Sequence, residues 1–176
     1  FAGFMMVERF GFHVHELTGL YLANLLLNIL LGPLFGKAVG YFGERNTLIL
    51  EYFGLALVFL AYGGVYLFSW GAIIASALFV IDHLFFSFAF ALKTYFQKIA
   101  DPADIAPTAA VAFTINHIAA VGLPLVMGLV WLASPSLVFV MAAIMSVISL
   151  ALAFLIPRNP LPGHETIFAG RNPSAN

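Results

Sequence analysis

The sequence predicts an all-α membrane protein, a helical bundle with five complete transmembrane helices and the end of a sixth. Of its 176 residues, 62% are hydrophobic and 9% are charged, whereas about a quarter of the residues in a soluble domain are charged. Apolar runs of the roughly 20 residues that a helix needs to cross a bilayer recur along the chain. The net charge of −1 gives no sign of nucleic-acid binding, and the lack of cysteine excludes disulfides and thiolate metal sites.

The predicted elements follow from these runs in order. Residues 1–7 are apolar but too short to span a bilayer, and no basic signal-peptide region precedes them, so we expect the end of a membrane helix that begins upstream. Residues 157–176 are rich in Pro, Gly and Asn and predict a disordered tail. The membrane domain is therefore residues 1–156. Its five complete spans, numbered one to five, are residues 17–36, 47–68, 72–92, 108–132 and 137–156.

The connection between spans one and two carries the most specific pattern. Gly32, Gly36 and Gly40 recur every fourth residue, so in a helix they lie on one face and allow close approach of another backbone. A turn rich in glycine and charge follows. The pattern resembles the short cytoplasmic loop of major facilitator superfamily (MFS) transporters, roughly Gly-x-x-x-Gly-Arg/Lys-x-x-Asp-Arg-x-Gly-Arg-Arg. The matching residues are Gly32, Gly36, Lys37, Gly43 and Arg45, while Gly40, Tyr41 and Glu44 depart from the family pattern.

Two further stretches strengthen this resemblance. Residues 114–131, with their Pro and Gly break, are similar to the eleventh helix of many bacterial MFS proteins, and residues 95–102 resemble the connection that precedes it. The resemblance implies that the chain is the C-terminal half of a transporter, from the end of helix seven to helix twelve. It also implies that span three lines the transport cavity and that an N-terminal six-helix half completes the protein.

Basic residues predict the orientation, because cytoplasmic loops carry an excess of Lys and Arg. With the glycine-rich loop in the cytoplasm, only Arg9 lies on the opposite side, together with Trp70 and Trp131 at the lipid interface. We therefore expect a multi-pass protein of the bacterial inner membrane with a cytoplasmic C-terminus. The basic residues on the cytoplasmic side are Lys37, Arg45, Lys93, Lys98, Arg158 and Arg171.

One carboxylate is predicted at the centre of the membrane. Asp82 lies midway along span three, where a charge costs about 2.5–3.5 kcal/mol on insertion scales and is rarely left facing lipid. We expect it to belong to a proton or substrate pathway; the alternative is a neutral acid bonded to a neighbouring helix. His83 is a second candidate, but successive helical residues point about 100° apart, so the two should not aim at one spot.

Span four offers a second polar group. His117 shares a helix face with Thr114, Pro124 and Gly128. Pro124 cannot donate a hydrogen bond to the carbonyl of Ala120, and broken helices that line a cavity are where transporters place binding groups. His117 and Thr114 are therefore pathway candidates; the alternative is that Pro124 only bends the helix and that His117 caps the free carbonyl.

Span one contributes two asparagines. Asn24 and Asn28 lie four residues apart and share one stripe of the predicted helix. They are candidates for the pathway, and they are equally suited to hydrogen bonding between helices.

The resemblance and the central carboxylate together predict secondary active transport of a small solute by alternating access, coupled to protons, with no enzymatic activity and no cofactor or metal. The expected partners are membrane lipid, the N-terminal half, a small solute and protons. Two alternatives stay open at this point. One is an intramembrane enzyme that uses Asp82, His83 and His117, and the other is a membrane scaffold or receptor without transport activity.

Overall fold

Helices form almost all of the computed structural model, which describes residues 1–169. A short 3-10 turn at Ser87–Ala89 joins the third helix to the fourth, so that residues 72–99 form one continuous rod. The described residues contain no strand, only an isolated bridge between Leu161 and His164. The all-α prediction is confirmed. The helices are α1 Ala2–Phe10, α2 Val14–Leu67, α3 Ala72–Phe86, α4 Phe90–Ile99, α5 Pro102–Ala133 and α6 Pro135–Phe154.

Four helical rods of the described chain are long and apolar enough to cross a membrane: α2, the α3–α4 rod, α5 and α6. The apolar side chains of α5, the α3–α4 rod and α6 are largely exposed, whereas just over half of the most apolar window of α2 is buried in the bundle. Hydrocarbon is the environment in which such a surface is stable, because lipid tails are as apolar as the side chains themselves. These features fit an integral multi-pass membrane protein.

The longest helix, α2, is broken at Gly43. Its 54 residues would extend roughly 80 Å as a straight helix, far beyond a bilayer core of about 30 Å. Gly43 has φ 78° and ψ 162°, a conformation that only glycine adopts easily, and it divides α2 into arms of residues 14–42 and 44–67. The turn between spans one and two is therefore one residue long, shorter than the glycine-rich and charged sequence predicted.

The two arms of α2 run back along each other. Tyr62 and Val65 of the second arm are buried in the same apolar cluster against which Leu17 and Leu20 of the first arm pack. Because Leu17 lies near the start of α2 and Val65 near its end, both ends of α2 reach the same cluster, which requires the chain to turn back at Gly43. The second arm also packs closely on α3, where a Cβ atom at Gly54 would overlap the ring of Phe85.

The glycines of the predicted stripe do not make such a contact. Among the described residues, no heavy atom outside the local helix lies within 4 Å of a Cβ built at Gly32, Gly36 or Gly40. The close backbone approach predicted there is absent, because the first arm presents this face to open space. Gly54, on the second arm, makes the approach instead.

Two apolar clusters hold the bundle together at opposite ends. The larger one joins α1, α2, α3, α5 and α6 and includes Met6, Tyr62, Phe79, Trp131 and Phe139. The smaller one joins α2, α4 and the end of α6 and contains Val39, Leu48, Ala91, Ala153 and Ile156.

Several helix boundaries differ from the prediction. The α3–α4 rod continues to Ile99, beyond the predicted end at residue 92, and α5 begins at Pro102 rather than residue 108. Asp101 caps α5, since its Oδ1 accepts a hydrogen bond of 2.9 Å from the amide of Ala103. Pro102 is tolerated because the first amides of a helix have no partner within it. Pro107 lies in the second turn of α5 without ending it.

The predicted tail is described only in part. Residues 157–169 form turns that fold back on the bundle: the Ile167 amide donates to the Leu155 carbonyl at 2.9 Å, and the Tyr95 hydroxyl donates to the Glu165 carbonyl at 2.6 Å. Residues 170–176, including Arg171, lie outside the described part, and disorder of the tail stays a prediction.

Candidate functional site

A cavity of about 270 Å³ lies among α1, α2, α3, α5 and α6. Most of its wall is apolar and aromatic, and it also contains the carboxylate of Asp82 and the imidazole of His83. A mainly apolar pocket with a few converging polar groups is the usual form of a small-molecule site. The aromatic side chains of the wall include Tyr21, Phe59, Phe79 and Phe139.

Asp82 and His83 converge in this cavity. The Nδ1 atom of His83 lies 3.8 Å from Oδ2 of Asp82, and the two side chains are 32% and 19% exposed, respectively. The expectation that they point to different places is wrong. Their Cβ atoms diverge as helical geometry requires, but their side-chain torsions bring the outer atoms back together.

The His83 ring is fixed by its own helix and by aromatic neighbours. Its Nδ1 lies 2.9 Å from the carbonyl oxygen of Phe79, which favours the tautomer with the proton on Nδ1. The rings of Phe79 and His83 are 4.4 Å apart, and Tyr21 meets them edge-on at 5.1 and 5.7 Å, respectively. Sequence reasoning missed Phe79 as a wall residue, although its position four residues before His83 places both on one helix face.

Asn24 and Asn28 lie beside the site but not in the cavity wall. Asn28 Nδ2 donates to the Asn24 carbonyl at 2.9 Å, and the Ser87 hydroxyl reaches both Asn28 Oδ1 and, at 2.9 Å, the His83 carbonyl. Asn28 therefore connects α2 to the turn that follows α3. Asn24 is 3% exposed, and its side-chain amide has no hydrogen-bond partner among the described residues.

The structure does not bring His117 and Thr114 to the cavity. Both are exposed on α5, and each bonds back to its own helix, His117 Nδ1 to the Phe113 carbonyl at 2.8 Å and Thr114 to the Ala110 carbonyl at 3.0 Å. His117 thus does not cap the carbonyl that Pro124 leaves free.

Pro124 and Gly128, the predicted helix break on α5, do not interrupt the helix. The helix continues through Pro124 to Ala133, and no heavy atom lies within 4 Å of a Cβ built at Gly128 among the described residues. The α5 side chains that do line the cavity are Leu123 and Met127.

The end of the bundle at α1 is tied by a polar and aromatic network. Trp131 Nε1 donates to Glu8 Oε2 at 2.8 Å, and the guanidinium of Arg9 lies 4.6 Å from the ring centroid of Tyr66. Trp131 is only 4% exposed. It lies at a helix end as predicted, but within the protein rather than facing lipid.

A polar cluster at the opposite end of the bundle surrounds the break in α2 and includes Gly43 and Arg45 of the family pattern. Lys98 Nζ lies 2.6 Å from Glu44 Oε1, and the Thr47 hydroxyl donates to the Gly43 carbonyl at 2.9 Å. Arg45 follows directly on the second arm, and its Nε is buried without a hydrogen-bond partner in the described residues. Glu44, which departs from the family pattern, makes the ion pair here.

No metal site is formed by the described residues, since no group of three or more His, Cys, Asp or Glu side chains gathers within residues 1–169. The chain matches no protein-family model, and no curated protein or solved structure is significantly similar to it. The MFS resemblance therefore stays a prediction from the motif residues.

Proposed function

We propose that the chain is the C-terminal half of a secondary active transporter of the MFS type, which moves a small solute by alternating access and couples the movement to protons. The observation that carries the proposal is the cavity between the helices with Asp82 and His83 in its wall. A partly buried carboxylate is costly within a membrane protein, and such residues usually mark substrate or ion pathways.

The architecture supports this proposal. If each arm of α2 crosses the bilayer separately, the chain makes five crossings together with the α3–α4 rod, α5 and α6. Basic side chains then lie at the end where α2 is broken, which we assign to the cytoplasm of a bacterial inner membrane. The exposed faces of α5 and the first arm of α2 are available to lipid and to an N-terminal half.

The coupling step is a change in the charge of the cavity. In its ionised form, the Asp82 carboxylate favours a hydrated cavity or a bound cation, whereas the protonated form tolerates a dry one. A proton that binds one conformation better than the other shifts the balance between the inward-open and outward-open states. His83, 3.8 Å away, is placed to influence this charge and to exchange the proton with water.

The test uses vesicles that contain the complete transporter and a trapped pH-sensitive dye. Solutes from three charge classes are added outside: a quaternary ammonium ion, a zwitterionic amino acid and a small carboxylate. We expect proton movement with at least one class, and we expect Asp82→Asn to abolish it. Proton movement with none of the classes, or movement that Asp82→Asn leaves intact, contradicts the proposal. Solute flux without proton movement would indicate a uniporter.

A further inference from the structure

We infer that the cavity selects a small organic cation, an ammonium group with apolar substituents. This inference rests on the proposed transport function and names the substrate class of the same site. Its basis is the joint presence of a carboxylate without a cationic Lys or Arg partner and a wall of aromatic rings.

The charge of the cavity is the first argument. Among the described residues that line it, Asp82 supplies the carboxylate and His83 the imidazole, and none is Lys or Arg. The nearest opposite charge that a side chain can offer Asp82 is a protonated His83 at 3.8 Å. When His83 is neutral and the α-amino group of Phe1, which also lines the cavity, is blocked, the ionised Asp82 carboxylate is left without a compensating positive charge from the described lining residues.

The hydrogen bonding of Asp82 is the second argument. No described side chain or amide donates a hydrogen bond to its carboxylate, although the side chain is only 19% exposed. A carboxylate held partly out of water either takes up a proton, as in the proposed coupling step, or stays ionised with a compensating partner. A ligand cation supplies that partner, whereas an anionic or neutral solute leaves the charge unmet.

The aromatic wall is the third argument. Tyr21, Phe59, Phe79 and Phe139 line the cavity, and the faces of aromatic rings attract quaternary ammonium groups at distances up to about 6 Å. The volume of about 270 Å³ lies just below the roughly 300–1,000 Å³ of drug-sized sites. A compact cation such as choline is therefore a suitable probe.

The absence of cysteine from the sequence permits a direct test of the cavity charge. Ala142 of α6 lines the cavity, and Ala142→Cys places a thiol there without adding much volume. The reference thiol is Ser69→Cys, in the turn before α3. The chain is expressed with an N-terminal tag, so that Phe1 brings no free α-amino group into the cavity, and is studied in lipid nanodiscs at about pH 8.

Two methanethiosulfonate reagents, one with a trimethylammonium group and one with a sulfonate, are compared at each thiol. We expect the cation-to-anion rate ratio at Ala142→Cys to exceed that at Ser69→Cys by at least about tenfold, as expected for a charged cleft. Asp82→Asn in the same background should remove this excess. Choline should slow labelling at Ala142→Cys, and its neutral isostere 3,3-dimethylbutan-1-ol should not.

The inference would be overturned if the cation-to-anion rate ratio were equal at the two thiols or unchanged by Asp82→Asn. Equal protection by choline and by the neutral alcohol would also overturn it. If Ala142→Cys does not fold, Met145→Cys on the same wall is judged by the same criteria. Thiols that react with neither reagent also count against it, because a cavity closed to a small cation cannot bind one. The labelling requires no transport, so a vesicle assay that responds only to anions would refute the cation inference while supporting the proposed function.

Discussion

The ammonium group of Lys98 lies 2.6 Å from the carboxylate of Glu44 and joins the end of α4 to the first residue after the break in α2. The two partners differ greatly in exposure: the Glu44 side chain is 5% exposed and the Lys98 side chain 53%. The pair is therefore a buried anion held by a cation that reaches in from solvent. Removing Lys98 should therefore affect stability differently from removing Glu44.

We predict that Lys98→Met lowers the free energy of unfolding by about 1–3 kcal/mol, because it leaves the Glu44 carboxylate buried without a partner. Glu44→Gln should cost less, since the released ammonium returns to water. The measurement is denaturant-induced unfolding of the purified chain in detergent. Lys93→Met, which removes an exposed lysine of the same helix, is the matched control. A larger loss for Glu44→Gln than for Lys98→Met would contradict this account of the pair.

Gly54 gives a second prediction. A Cβ there would overlap the ring of Phe85, whereas a Cβ at Gly63, on the same arm of α2, meets no heavy atom within 4 Å. Gly54→Ala should therefore destabilise the chain by about 1–3 kcal/mol through overpacking. Gly63→Ala should be neutral or stabilising by up to about 1 kcal/mol, because alanine favours the helix. The measurement is the free energy of unfolding of each variant, from denaturant-induced unfolding in detergent.

A partial rescue provides the control for Gly54. Combining Gly54→Ala with Phe85→Ala removes the ring that the new methyl group meets, so the double variant should lose less stability than the sum of the two single changes. Purely additive losses would mean that α2 and α3 do not approach closely at Gly54.

The third prediction concerns topology. Single cysteines at Asn46 and Ala103 should be protected from an impermeant thiol reagent in intact cells, and cysteines at Ser69 and Ser136 should react. The reason is that the excess of basic residues predicts a cytoplasmic position for the α2 break and the α4–α5 connection. A cysteine at Ser174, outside the described residues, should also be protected. The opposite labelling pattern would reverse the orientation, and it would remove the support that the basic loop gives to the MFS resemblance.

Hydropathy was sufficient to predict the class of fold, because each apolar run is long enough to require a helix across the bilayer. It was not sufficient for the ends of the helices. The predicted span three ended at residue 92, before Lys93 and Lys98, yet both lysines lie on a continuing helix. Long basic side chains can reach water from a helical backbone. The glycine-rich turn likewise reduces to Gly43, since one positive φ reverses the chain.

The candidate site was predicted only in part, for a similar reason. Asp82 could be selected from the sequence because a lone acid at mid-span requires an explanation. The convergence of His83 on it depends on side-chain torsions, and the placement of His117 depends on how α5 is rotated about its axis. Neither is encoded in helical periodicity, because periodicity defines faces but not what each face meets. The aromatic wall was missed because the sequence contains 19 phenylalanines, and their positions alone do not distinguish those that line the cavity from those that face lipid.

The central claim is that Asp82 couples solute movement to protons, and paired uptake and counterflow tests it most directly. The complete transporter, as wild type and as Asp82→Asn, is reconstituted into vesicles and given a radiolabelled solute that moves protons in the dye assay. The amide keeps the shape of the side chain but fixes a neutral form. We predict that Asp82→Asn retains counterflow of the solute and loses accumulation under an imposed proton gradient. Accumulation by Asp82→Asn at the wild-type level would contradict the claim and leave the carboxylate a structural role.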